Sequence, residues 1–193
     1  MSKSLIIENL KKNKPPQVPL PDLEVFKHNI PLETLIGDFI KTSIGNMSTV
    51  VNIMDSEIPL ETYLKEFITE NFDKGASSYN AFEWHENSQQ DDSGQTAVDI
   101  FLAEAVMGVA ENGCLWLDEK VFDHRIAAFS CQHTILVIDH KNLVPTMHQA
   151  YRKIKIDQTG YGVFIAGPSK TADIEQSLVI GAQGAVSNTV ILV

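Results

Sequence analysis

One short apolar run, residues 134–138 (Thr-Ile-Leu-Val-Ile), stops abruptly at Asp139 and constrains this chain more than any other segment. A continuous run of that length reads as a strand buried on both faces. Such strands belong to parallel sheets covered by helices, and the flanking pattern agrees. Residues 31–44 carry Leu32, Leu35, Ile36, Phe39 and Ile40 at helical spacing behind Pro31, which suits a first helical position. Residues 49–54 are short and β-branched, hence a strand. Residues 59–71 return to the helical period through Leu60, Leu64, Phe67 and Ile68. After 134–138, the pattern predicts a helix over 143–154, a strand over 162–166, a helix over 171–180 and a strand over 189–193. Apolar strands separated by helices imply parallel crossovers, so the expected class is α/β, a mostly parallel sheet with helices on both faces.

Three segments refine that outline. Residues 98–105 read as helix or buried strand, because periodicity does not separate the two. Residues 106–110 and 114–117 read as two short strands joined by Glu111-Asn112-Gly113, since Asn-Gly between apolar runs is a turn signal. Residues 87–96 are polar and read as a loop. At the other end, residues 4–13 suggest a short helix with Leu5, Ile6 and Leu10 on one side. Residues 11–21 follow with three lysines and four prolines, a linker or arm. The expected organisation is an arm over 1–22 and one α/β domain over 23–193. Such an arm is either a mobile terminus or a segment packed on a partner subunit, which leaves a homo-oligomer open.

Charge and cysteine content exclude several function classes. The 193 residues carry a net charge of −10, which argues against nucleic acid or an anionic membrane as the main partner. Two cysteines, Cys114 and Cys131, rule out a disulfide framework and are too few for an iron–sulfur cluster. Residues 1–10 lack the apolar core of a signal peptide, and no stretch reaches the roughly 18 apolar residues of a membrane span, so the expected location is the cytoplasm. The six histidines form no H-E-x-x-H, and Walker, G-x-G-x-x-G and G-x-S-x-G motifs are absent. No metal site and no cofactor of its own are expected.

Ligands in open α/β sheets gather at the carboxyl ends of strands, which directs attention to the loops after 109–110, after Ile138 and after 164–166. The last is the most informative. Gly167 permits an unusual backbone angle, Ser169 and Lys170 stand just before the predicted helix, and Thr171 suits an N-cap. A helix start there suits a carboxylate or phosphate. Asp173 and Glu175 in its first turn equally serve the helix dipole and would repel an anion, and spacing alone favours that structural role. Gly181, Gln183 and Gly184 form a second turn able to return to the same place. Glu111, at a strand end, is suited to act as nucleophile or general base in a dry pocket, or merely to solvate its turn.

These residues carry a resemblance. The string Gly167-Pro168-Ser169-Lys170-Thr171-Ala172-Asp173-Ile174-Glu175, continuing through Leu178, Val179, Gly181 and Gly184, resembles the C-terminal signature of the lactate-utilisation (LUD) family. Val109-Ala110-Glu111-Asn112-Gly113-Cys114-Leu115 is similar to that family's Ala-Glu-Thr-Gly-Thr-Leu stretch, and residues 129–139 are similar to its His-strand-helix segment. The resemblance implies a NagB/RpiA/CoA-transferase-like fold. It also implies a component of a cytoplasmic system that oxidises L-lactate to pyruvate, with the iron–sulfur clusters on partner subunits. The implied ligand is a small organic acid or organic phosphate, held by Asn112, Gly113, Gly167, Ser169, Lys170, Thr171, Asp173 and Gln183. Two departures stand out. Gln183 occupies the place of a family histidine, and Gln does not titrate near neutrality. Asn112 and Cys114 replace threonines, and Glu111-Asn112-Gly113 thereby resembles the Glu-Asn-Gly element of class I CoA-transferases, in which the glutamate is the nucleophile. Acyl or CoA transfer through Glu111 is the alternative function, and a non-catalytic binding domain is the third.

Overall fold

Alternate residues of the apolar strands face two different cores, and that alternation sets the layers of the molecule. The computed structural model describes residues 3–16, 18–19, 29–80, 98–122, 125–155, 160–171 and 178–193. In chain order the elements are α1 (Lys3–Lys12), α2 (Leu32–Gly45), β1 (Thr49–Asn52), α3 (Leu60–Asn71), β2 (Ser78–Asn80), β3 (Ile100–Glu104), β4 (Met107–Val109) and β5 (Cys114–Asp118). They continue with α4 (Ala127–Ser130), β6 (His133–Ile138), β7 (Leu143–Val144), α5 (Met147–Lys153), β8 (Gly162–Ile165), β9 (Lys170–Thr171), β10 (Val179–Ile180) and β11 (Ser187–Leu192).

The central sheet has the order β1-β11-β6-β3-β2, and every pair in it is parallel. Ile100, Leu102, Ile135, Val137 and Ile191 point to one face, where α3 covers them with Leu64. Phe101, Ala103, Leu136, Ile138, Val190 and Leu192 point to the other, where α2 contributes Leu35 and Phe39. Each large side chain so buried is worth about 1.5–3 kcal/mol, which makes this two-faced sheet the main store of stability. Pro31 and Pro59, with φ of −55° and −56°, stand directly before α2 and α3, where a missing N–H costs nothing.

A second sheet, order β7-β4-β5-β8, lies on the α2 side. Its inner residues Leu115, Leu117 and Leu143 join the α2 core. Its outer residues Met107, Val109, Cys114, Trp116 and Val144 pack with Ala150 of α5. Gly108 lets the two sheets close, because a Cβ there would lie 2.7 Å from Leu143 and 3.1 Å from Phe39. The chain is therefore α/β, with a mostly parallel central sheet flanked by helices.

Three sequence expectations are corrected. The strand read over 162–166 does not join the parallel series, because β8 pairs antiparallel with β5 in the second sheet. The helix read over 143–154 begins only at Met147. Leu143 and Val144 instead pair with Gly108 and Val109, since Pro145 disfavours the helical region for the residue before it and Thr146 caps α5 through Gln149 N–H. The helix read over 171–180 is replaced at both ends by strand: Thr171 pairs with Val179 and Lys170 with Ile180, antiparallel. Thr171 itself is therefore strand, where the extended preference of Thr, Val and Ile prevails, and residues 172–177 lie outside the described residues. Asp173 and Glu175 lie outside the described residues, as do the loop read over 87–96 and the expected boundary at residue 22. Residues 98–105 resolve as strand β3. Among the described residues, no helix is long and apolar enough to cross a membrane.

Candidate functional site

The end of α2 organises the region. Ser48 N–H bonds the Ser43 carbonyl at 3.1 Å and Met47 N–H bonds the Ile44 carbonyl at 2.9 Å, with Met47 at φ 70° between them. That is a Schellman ending, and a methionine fills the left-handed position that usually falls to glycine. Asn46, the residue before it, reaches in two directions. Its Nδ2 donates to the Asn112 carbonyl at 2.5 Å, and its own carbonyl accepts from Lys170 Nζ at 3.0 Å. The two candidate turns, 111–113 and 167–170, thus meet on one helix end, although 54 residues or more separate them in sequence.

Each turn is built around a glycine that approaches that end closely. Gly113, at φ 66°, would place a Cβ 2.6 Å from Ser43 N; Gly167, at φ 73°, would place one 2.0 Å from the Asn46 carbonyl oxygen. Neither position admits a side chain. Thr42 Oγ1 donates to the Ala110 carbonyl at 2.9 Å, and Asn112 Oδ1 accepts from Cys114 N–H at 3.2 Å. Lys170 Nζ also donates to the Ala166 carbonyl at 3.1 Å, and desolvation lowers its pKa below the ordinary lysine value. Glu111 turns elsewhere: its Oε2 accepts from Met147 N–H at 2.8 Å and so caps the start of α5.

The cleft beside these turns has a volume of about 210 Å³. Ser169, Gln183 and Thr134 are its lining residues with polar side chains, Phe129, Phe164 and Ile165 line it with apolar ones, and Gly167 and Gly184 complete the lining with Ala128, Pro168 and Ala185. Ser169 is fixed through its backbone, N–H to the Ala185 carbonyl at 2.8 Å and carbonyl from Gly181 N–H at 2.9 Å. A Cβ on Gly184 would lie 3.1 Å from the Phe129 carbonyl, so the second turn closes tightly over α4. Behind the cleft, Asn188 Nδ2 donates to Thr134 Oγ1 at 2.6 Å and Ser48 Oγ donates to Asn188 Oδ1 at 2.7 Å, all three residues buried. This ladder ties the amino-terminal ends of three parallel strands together, through Ser48 just before β1 and the second residues of β6 and β11.

The structure therefore gathers Gly167, Ser169 and Gln183 at one cleft. Asn112 and Lys170 are linked to its Gly167 rim through Asn46, Gly113 packs on Ser43 of α2, and Glu111 and Thr171 are not among its lining residues. Its position differs from the carboxyl-end rule. Thr134 is the second residue of β6 and Ala185 precedes β11, so the cleft opens at the amino edge of the central sheet. The loop with Gly167 and Ser169 runs from β8 to β9, both in smaller sheets, and the turn with Gln183 and Gly184 leads into the start of β11, so neither follows the carboxyl end of a central strand. Sequence reasoning missed Asn46, Thr134 and Phe129. Gly45-Asn46 at the close of the α2 pattern was the available signal for the first, and Thr134 was hidden inside an apolar strand. Cys114 and Cys131 are buried in separate cores, and desolvation pushes both thiols up to about 12. His133 bonds Ser187 Oγ through Nδ1 at 2.7 Å, on the α3 side of the same edge.

Comparison with known proteins gives a consistent picture. The family model described as the LUD domain matches residues 28–193. Lactate utilization protein C of Oceanobacillus iheyensis is 34% identical over 101 residues, covering 49% of this chain and 43% of that protein. Its namesake in an Exiguobacterium species is 32% identical over 120 residues, covering 58% and 52% respectively. The matches thus span about half the length of these relatives. A solved DUF162-family protein of Deinococcus radiodurans shares the fold at a TM-score of 0.62 with 10% identity, over 85% of this chain and 99% of that one.

Proposed function

This chain belongs to the LUD-domain family, and we propose that it serves lactate utilisation by holding a small organic acid, or an organic phosphate, in the Ser169–Gln183 cleft. The electron transfer of lactate oxidation falls, in this reading, to iron–sulfur partner proteins. The chain's own two thiols, buried in different cores, do not fit a cluster. The observation that carries the reading is the convergence of Ser169, Gln183 and Thr134 at one small cleft, with the Lys170 ammonium against its Gly167 rim.

The chemistry of the cleft favours holding over proton transfer. Ser169 Oγ and the Gln183 amide donate and accept hydrogen bonds, and neither titrates at neutral pH. Lys170 uses two of its three N–H groups on backbone carbonyls, which fixes a positive charge beside the cleft in an otherwise acidic protein. A carboxylate facing Ser169 and Gln183 would have its short carbon chain against Phe129 and Phe164. The alternative, acyl transfer through Glu111, draws less support, because that carboxylate caps α5.

Calorimetric titration with L-lactate, pyruvate and inorganic phosphate tests the reading. At least one should bind, and Ser169→Ala and Gln183→Ala should each weaken it about tenfold, the equivalent of about 1.4 kcal/mol. Absence of binding by all three, or binding indifferent to both substitutions, would refute it.

A further inference from the structure

Helix α1 has ten residues and none of them is buried. A helix that short is marginal in water even with a favourable sequence, and this one contains two adjacent isoleucines, a serine and an asparagine, none a strong helix former. Lys11 and Lys12 in its last turn favour the dipole, by a few tenths of a kcal/mol each. That does not replace a packing surface. Ile6, Ile7 and Leu10 lie within a 100° sector of the helix, and they stay 46%, 40% and 67% exposed. The helix therefore presents an apolar stripe ending in a basic tip, Lys11, Lys12 and Lys14, on a chain whose net charge is −10.

A groove of matching character lies elsewhere on the molecule. Leu32 and Ile36 of α2 and Met54 after β1 form its apolar floor, with Glu33, Asp55 and His140 around them, in a volume of about 500 Å³. Leu32 is 45% exposed. Glu33 and Asp55 are the acids of the groove's lining, and among the described residues no lysine or arginine lines it. The chain's own α1 leaves this groove open. A second copy offers the same stripe and the same lysines.

We infer that α1 is a docking arm that seats Ile6, Ile7 and Leu10 in the Leu32–Ile36–Met54 groove of a second copy of this chain, with Lys11 and Lys12 toward Glu33 and Asp55. The exchange is reciprocal, since a two-fold pair presents each arm to the other's groove. Burial of the stripe supplies the driving force, and the charges select the acceptor and make association salt-sensitive.

Sedimentation of the full chain over a wide concentration range tests this. The wild type should form dimers that weaken as salt rises. Ile6→Asp with Leu10→Asp should give monomers that keep the far-ultraviolet spectrum of the wild type and whose unfolding midpoint no longer depends on protein concentration. Glu33→Lys with Asp55→Lys should weaken the dimer at least tenfold, and adding Lys11→Glu and Lys12→Glu to that variant should restore it. A wild type that is monomeric at every concentration would overturn the proposal. So would a dimer indifferent to the arm substitutions, or one that the groove substitutions leave intact. A monomer that sediments instead with anionic phospholipid vesicles would assign the arm to a membrane surface and overturn it as well.

Discussion

The central parallel sheet and the cleft at its amino edge are built on opposite principles. In the sheet, β3, β6 and β11 bury side chains on both faces, and each contact is one of many. At the cleft, a few single contacts decide everything: Asn46 to Asn112, Asn46 to Lys170, and two glycines pressed against the end of α2. The first region stores stability by area. The second stores geometry, and it tolerates a strained methionine at Met47 to do so. Loss of one cleft contact should therefore disturb binding more than folding, whereas loss of one core side chain should do the reverse.

Phe39→Ala should have the largest effect on stability. Phe39 is fully buried where α2, the central sheet and Gly108 of the second sheet meet, so its removal should cost about 3–5 kcal/mol in urea unfolding. A loss below about 1 kcal/mol would break the claim that burial there is the main store. Gly167→Ala comes next. It forces a side chain into the left-handed region, at about 1–2 kcal/mol, and into the Asn46 carbonyl oxygen besides. It should lower stability by about 2 kcal/mol and abolish acid binding in the same titration. Retained binding would show that the Asn46 junction does not shape the cleft.

Two smaller effects sharpen the comparison. Met47→Gly should raise stability by about 1 kcal/mol, by relieving the left-handed strain at the end of α2, measured as an upward shift in the urea midpoint. Unchanged or lower stability would mean the methionine side chain offsets that strain. Glu111→Ala should cost only about 0.5–1 kcal/mol, the worth of a helix-start acceptor, and leave ligand affinity unchanged. Loss of affinity there would move Glu111 into the site and revive acyl transfer.

Legibility in the sequence follows the same division. The strands at 49–52, 133–138 and 187–192 and the helices at 32–45 and 60–71 are visible because burial imposes its period directly on the residues. The hairpin from Met107 to Asp118 was equally visible through Asn112-Gly113, whose left-handed glycine is a local requirement. The misread segments depend on distant partners. Leu143 and Val144 look helical alone and become strand only because Gly108 and Val109 lie beside them. Thr171, read as the start of a helix, is strand because of Val179, a partner eight residues away. Of the cleft, the string around Ser169 and the turn at Gln183 were legible as glycine-marked bends. Asn46 and Thr134 were not, since an asparagine after a helix and a threonine in a strand carry no mark of what they face.

The direct test of the cleft is chemical-shift mapping with isotope-labelled protein titrated with L-lactate and pyruvate. The account predicts saturable shifts concentrated at Thr134, Gly167, Ser169, Gln183 and Gly184, spreading to Asn46 and weakening in Ser169→Ala. Shifts that leave these residues untouched and gather instead at Glu111, or at the His133–Ser187 side of the sheet edge, would contradict it.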